Sequence, residues 1–253
     1  DVSLTSGSRK SLLNIQDTSK LVNRTQDRLA TGKKVTSSVD DPVLFAAAQQ
    51  LLQQAGDLLA TKDGMSEGIN TVNTANNSIT AMNDMLNQAK SIADNALATG
   101  DTAVRASYAK QYDTVMDQIT SLAKDAGYKG TNLLSGDTTL SIKFDATGSS
   151  SLNITGFEAR DLGSLGLSYA GNNWTTTDNT AINNSLKSVD SATTNLRTES
   201  KSLTENLNII TSREDYTTEV INNFKSGADN LTLADMNEES ANMLMLQTRQ
   251  NLS

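Results

Sequence analysis

The chain has 253 residues, of which 36% are hydrophobic and only 4% aromatic, and it carries a net charge of −8. So few aromatics leave little material for a globular core, where they supply much of the buried area, and the acidic balance excludes the basic face that nucleic acid requires. With no cysteine and no histidine, disulfides, thiolate or imidazole catalysis and the usual zinc sites are excluded as well.

The first helical pattern is thin. Ile15, Val22 and Leu29 are spaced by seven, but the companion positions Leu12, Ser19 and Gln26 are mainly polar. A helix with such a seam is marginal alone and needs a partner. Gly32 stops it. After a run of small polar residues, Asp41 and Pro42 restart the chain as an N-cap followed by proline at the first helical position. The break is a change of direction between two helices.

From Leu44 a seven-residue repeat runs through Leu51, Leu58, Met65, Val72, Ile79, Leu86 and Ala93. Its companion seam reads Ala48, Ala55, Lys62, Ile69 and Asn76, then Met82, Ala89 and Ala96, which predicts a shift of register near Ile79. Gly56, Gly64 and Gly68 fall inside this helix at a cost of about 1 kcal/mol each relative to alanine. Gly100 ends it, and Asp101 or Thr102 caps a shorter helix along Tyr108, Tyr112, Val115, Ile119, Leu122 and Ala126. Leu140, Ile142 and Phe144, then Leu152 and Ile154, alternate with polar residues around a Gly/Ser turn, which predicts a hairpin. The stretch ARDLGSLGLSYAGNNW is expected to be loop and short strand. A second long helix follows, with Ile182, Val189, Leu196, Leu203, Ile210, Thr217, Phe224 and Leu231 spaced by seven. Its companion positions are Leu186, Thr193, Ser200, Leu207, Glu214, Ile221 and Ala228. Asp235 and Glu238 then form the frame of a capping box for a last helix, which runs to Ser253 without a stop signal, as if cut in mid-helix. The chain begins at Asp1 and not at Met, which suggests that a few residues precede it. The expected fold is mainly α: an elongated antiparallel helical bundle with a small β-hairpin insertion and terminal helices.

Candidate chemistry is sparse. Glu238 and Glu239 are sequence neighbours that do not share a helix face, so a capping residue plus a solvated acid is expected, not a catalytic pair. Trp174 and Tyr169 could stack on a sugar, but packing under the hairpins is the expectation. Asp40 and Asp41 could bind a cation, but capping fits them better. Asn76, Asn83 and Ser200 lie on or near the seams and are expected to set register. Serines and threonines within 147–180 could carry glycans. No catalytic residue, metal site or cofactor site is predicted, and the longest apolar run, Val43 to Ala48, is far too short to span a bilayer. No secretory signal is visible.

Three segments resemble one family. RLATGKKVTSSVDDP is similar to the N-terminal pattern RLSSGLRINSAKDDA of bacterial flagellins: Arg28 and Leu29 fall on the opening pair, Gly32 on the glycine, Lys34 and Val35 on the basic–aliphatic pair, Ser37 on the serine, and Asp40 and Asp41 on the acidic pair. Val39 stands where the pattern has lysine, and Pro42 where it usually has alanine. GYKGTNLLSG resembles the flagellin element FNGVKVLS, with Tyr128, Gly130 and Leu134 matched. ADMNEESANMLMLQTRQNLS resembles the start of the C-terminal helix of alphaproteobacterial flagellins. The outer, hypervariable domains of the family are absent.

The resemblance implies a structural subunit of the flagellar filament and not an enzyme, polymerising through its terminal helices into the propeller for swimming. It implies the following organisation: residues 1–33 as the N-terminal part of a filament-core domain, 34–42 as a connecting spoke, 43–232 as a helical rod domain with β-hairpins at 136–180, and 233–253 as the truncated start of the C-terminal inner helix. Arg28, Leu29, Gly32, Lys34, Val35, Asp40 and Asp41 are then polymerisation and spoke residues. The implied partners are copies of itself, a flagellin-specific export chaperone, the flagellar type III export apparatus, and hook-associated and cap proteins, with no nucleic acid and no membrane insertion. The implied location is extracellular, in the flagellum. Met236, Met243, Leu244 and Leu246 are candidates for chaperone contact or for core packing, since flexible thioether and leucine side chains suit a transient groove. LNQAKSIA, residues 86 to 93, matches the stretch LQRVRELA of flagellins sensed by a vertebrate innate receptor, but with Gln88 for its arginine and Ser91 for its glutamate; weak activation is expected. The competing readings are a hook–filament junction protein and a secreted carbohydrate-binding module.

Overall fold

The computed structural model describes residues 6–252; the first five residues of the expected terminal segment, and Ser253, lie outside them. In chain order the elements are α1 (Ser6–Thr31), α2 (Pro42–Ala98), α3 (Thr102–Asp125), a hairpin of β1 (Gly127–Tyr128) and β2 (Thr131–Asn132), a second hairpin of β3 (Thr139–Lys143) and β4 (Ser151–Thr155), a 3-10 turn (Gly171–Trp174), α4 (Thr180–Thr232) and α5 (Met236–Leu252). The fold is mainly helical, as the sevenfold spacing predicts. The chain forms two compact units, Leu58–Thr218 and the remainder on either side of it.

In the unit Leu58–Thr218, α2, α3 and α4 share one apolar core. Met65, Val72, Ile79, Leu86 and Ala93 of α2 are buried, and so are Tyr112, Met116, Ile119 and Ala123 of α3 and Ile182, Val189, Leu196, Leu203 and Ile210 of α4. The companion seam of α2 differs from the expectation. Gly68 and Ala75 are buried in phase with Met82, Ala89 and Ala96, while Lys62, Ile69 and Asn76 are only half-buried. The seam therefore runs without a break past Ile79, and the change of phase lies between Leu58 and Gly68. The cause is a side chain supplied from elsewhere: Ile142 of β3 fills the space over Gly68, where a Cβ would come within 2.4 Å of Ile142 Cδ1. A glycine offers no apolar side chain to such a pattern, although here it marks a close apolar contact.

The N-cap of α3 falls on Asp101, one of the two residues predicted for it. Asp101 Oδ1 accepts from the amides of Ala103 at 2.8 Å and Val104 at 3.3 Å. The buried Arg105 then donates from Nε to the Thr99 carbonyl at 2.8 Å, from Nη1 to the Thr176 carbonyl at 2.6 Å and from Nη2 to Asn179 Oδ1 at 2.5 Å. One guanidinium thus satisfies loose carbonyls at the end of α2 and ties down the segment entering α4.

The β3–β4 register pairs Leu140 with Ile154 and Ile142 with Leu152, and Ile142 and Ile154 enter the helical core. The β1–β2 hairpin was not predicted. Its two turn residues, Lys129 and Gly130, both have positive φ, 47° and 84°, the conformation that matches strand twist in a two-residue turn. From Gly156 to Ala170 the chain makes turns and loop and not the expected short strand. Trp174 does not pack under the hairpins. It is buried with its ring centroid 4.8 Å from that of Tyr112 on α3, and its Nε1 donates to Ser185 Oγ on α4 at 3.3 Å. Tyr169 is half-exposed, and its hydroxyl donates to Asp117 Oδ1 at 2.7 Å. Ser200 Oγ donates to Asn76 Oδ1 at 3.0 Å, a polar pin from α4 to α2. Asn83 instead bonds back to the Ile79 carbonyl of its own helix, so it makes no such pin.

Candidate functional site

The second unit holds α1, the start of α2, the end of α4 and α5, and it brings the family-like residues together. Gly32 ends α1 at φ 68°, a left-handed cap that other residues adopt only with strain; its amide donates to the Arg28 carbonyl at 2.8 Å. The next residues lie antiparallel to the connection between α4 and α5. Lys34 and Val35 donate their amides to the Thr232 carbonyl at 2.7 and 3.2 Å, and Ala234 donates its amide to the Gly32 carbonyl at 2.9 Å. Lys33 and Leu233 form the bridge between them. Val35 is buried at this crossing, and Lys34 is half-buried.

Two aspartates shape the link into α2. Asp40 Oδ2 accepts from the amides of Thr36 and Ser37, both at 3.0 Å, and from their hydroxyls at 2.9 and 3.2 Å. The Thr36 amide, followed by the Thr36 hydroxyl and the Ser37 amide, holds the Asp40 carboxyl down at about 2, so the turn is tied by a full negative charge. Asp41 Oδ1 caps α2 through the amides of Val43 at 3.0 Å and Leu44 at 2.9 Å. Asp41 thus caps α2 as expected, whereas Asp40 caps no helix and instead ties the turn before it.

α1 packs on α5. The contact is more polar than the Ile15, Val22 and Leu29 spacing suggests. Thr18 and Thr25 are buried; Val22 and Leu29 are half-buried, and Ile15, Leu12 and Gln26 are exposed. Thr18 can be buried because its hydroxyl donates to the Asn14 carbonyl of its own helix at 2.8 Å. On α5, Leu246 and Glu239 are buried. Glu239 is therefore not the solvated acid expected: Arg28 Nη1 donates to its Oε1 at 2.7 Å. The signal for this pair was a carboxylate one residue after the box position, which no local rule singles out. Of the capping box itself, Asp235 Oδ1 accepts from the amides of Asn237 at 2.9 Å and Glu238 at 3.3 Å, and Glu238 is exposed. The four α5 candidates divide: Leu246 is buried, Met243 half-buried, and Met236 and Leu244 exposed.

The exposed surface of this pair includes several large apolar side chains among polar ones. Leu12, Leu13, Ile15 and Leu21 of α1 and Met236, Leu244 and Met245 of α5 are all exposed. Asp40, Asp41 and Asp235 are occupied with backbone amides and Glu239 with Arg28.

A mainly helical protein whose two terminal helices pair and leave leucine, isoleucine and methionine side chains uncovered is the class that this architecture defines. Residues 3–139 match the bacterial flagellin N-terminal helical region. Flagellin FljM of Caulobacter vibrioides is 30% identical to this chain over 99% of it and 91% of its own length. A flagellin of Brucella melitensis is 24% identical over 95% of this chain and 88% of its own. The crystal structure of Bacillus cereus flagellin shares the fold, with a TM-score of 0.52 at 15% identity over 61% of this chain and 88% of that one. The chain belongs to the flagellin family. It is a structural subunit of the bacterial flagellar filament, built to polymerise with copies of itself, and not an enzyme.

Proposed function

We propose that the α1–α5 pair is the element through which this flagellin polymerises, and that its ordering is coupled to assembly. The observation that carries this reading is the row of exposed leucine, isoleucine and methionine side chains on both helices. A lone pair with a partly polar contact gains little against an ordering cost of roughly 1–2 kcal/mol per residue. Each apolar side chain covered by a neighbouring subunit adds about 1.5–3 kcal/mol. Residues 1–33 and 233–253 then belong to the filament core, 34–42 to a spoke and 43–232 to a helical rod domain that folds alone. Arg28, Leu29, Gly32, Lys34, Val35, Asp40 and Asp41 act in this reading by fixing the spoke.

The exposed Met236 and Leu244 suit capture by an export chaperone before assembly, while Leu246 suits packing. Export through the flagellar type III apparatus, contact with cap and hook-associated proteins, and an extracellular destination complete the reading. The test is sedimentation of intact chains mixed with chains lacking 1–33 and 233–253. Intact chains are expected in the pellet and shortened chains in the supernatant; equal polymerisation by both rejects the proposal.

A further inference from the structure

Among the described residues, Val39 is the most exposed large apolar side chain, at 91%, and Val43 follows at 74%. Single exposed valines are ordinary, but Val39 lies in the turn tied by Asp40, and Val43 stands four residues on in the capped first turn of α2. The Asp40 carboxylate draws in Thr36 and Ser37, and Asp41 caps the helix that begins directly behind. The tip is held in one shape, so little ordering cost remains to be met when it is covered. Val39 also stands where the matching flagellin pattern has lysine, so the apolar tip is a property of this sequence.

The same unit carries a groove of about 440 Å³. Val35, Phe45, Ala48 and Leu52 line it on the apolar side, with Lys33 and Asp229 also facing it. Leu52 is exposed. A subunit of an open filament must meet its neighbours through two different surfaces, because a self-complementary surface closes into a dimer. We propose that the Val39–Val43 tip of one copy seats in this groove of a second copy. Charge agrees with the fit. Lys33 has no ion pair among the described residues, and the hydrogen bonds that Asp40 accepts from Thr36 and Ser37 all go to Oδ2. Oδ1 can therefore face Lys33 across the contact. This inference rests on the self-polymerisation of the family and not on the role proposed for α1 and α5.

The chain has no cysteine, which makes cross-linking clean. Val39→Cys and Leu52→Cys are made in separate chains, the second enlarged by a tag, then copolymerised and mildly oxidised. A mixed disulfide dimer is expected in the filaments, but not in the unpolymerised mixture nor when Thr80→Cys, on an exposed position of α2, replaces Leu52→Cys. Val39→Lys is expected to leave the Tm of the monomer unchanged and to raise the critical concentration for polymerisation about tenfold. Filaments without the mixed dimer overturn the proposal. So do filaments whose disulfides join Val39→Cys only to itself, and so does polymerisation of Val39→Lys at the parent's concentration.

Discussion

Arg28 of α1 reaches Glu239 of α5 at 2.7 Å, and the carboxylate it meets is buried. This ion pair locks two helices that lie more than two hundred residues apart in the chain and whose remaining contact is partly polar. Removing one partner of a buried pair costs far more than the pair contributes, because the other charge stays behind without water. Arg28→Ala is expected to destabilise the α1–α5 contact by about 2–3 kcal/mol, since the guanidinium is itself partly exposed. Glu239→Gln keeps an acceptor for Arg28 and should cost less. Hydrogen exchange of the α1 and α5 amides reads the effect, and unchanged protection in Arg28→Ala would show that the pair holds nothing.

Three glycines of α2 make a second test, because they share a helix and differ in surroundings. Gly56 and Gly64 have open space where a Cβ would stand, whereas Gly68 has Ile142. Alanine at Gly56 or Gly64 should stabilise by up to about 1 kcal/mol each through helix propensity. Alanine at Gly68 gains the same propensity but must push a buried isoleucine, and overpacking costs about 1–3 kcal/mol. A net loss is expected, with Ile142→Val restoring part of it. Urea midpoints of the three single variants rank them; a Gly68→Ala more stable than the parent would refute the close contact.

These glycines also show where the sequence was legible. Helix starts were readable because each depends on a residue two or three places away: Asp41 with Val43 and Leu44, Asp101 with Ala103 and Val104, Asp235 with Asn237. The heptad positions from Met65 to Ala93 were readable because one helix face stays on one core. What needed a distant partner was not readable. Gly68 is a core position only because Ile142 fills it. Glu239 is buried only because Arg28 returns to it, and Trp174 finds Tyr112 across an unpatterned loop. The buried Thr18 was hidden for another reason: a threonine satisfied by its own helix reads as polar however deeply it sits.

Tyr112 gives the molecule an alkaline limit. Burial raises its phenol from 10.0 to about 12, opposed by Ser185 and helped by a smaller push from Asp113. Its hydroxyl is buried without a hydrogen bond of normal geometry. A raised phenol means that the folded state binds the proton more tightly than the unfolded state. The resulting stability is complete below pH 10.0 and is lost as pH rises toward about 12. Tyr112→Phe removes that dependence and, giving up only a poorly aligned contact with Ser185, should lie within about 1 kcal/mol of the parent at pH 7. Urea unfolding of both proteins between pH 8 and pH 11.5 compares them. The parent should weaken more steeply above about pH 10, and parallel curves would mean that the phenol is not shielded.

The stretch Leu86 to Ala93 fixes what an outside receptor could touch. Leu86, Ala89 and Ala93 are buried in the core of the helical unit, while Gln88 and Ser91 face solvent. Lys90 is half-exposed and engaged with Asp190 at 2.6 Å. Gln88 and Ser91, the two departures that change charge from the receptor-stimulating pattern, are thus surface positions, and the shared Leu86 and Ala93 serve packing. Weak activation of the receptor is therefore expected, and the departures should be correctable without disturbing the fold. Gln88→Arg with Ser91→Glu removes no buried contact, so its melting temperature should match the parent, as exposed substitutions usually lie within about 0.5 kcal/mol. The double variant should signal more strongly than the parent in a reporter-cell dose series. A strong response to the unmodified protein at low dose, or no gain in a folded double variant, would place the deficit somewhere other than these two side chains.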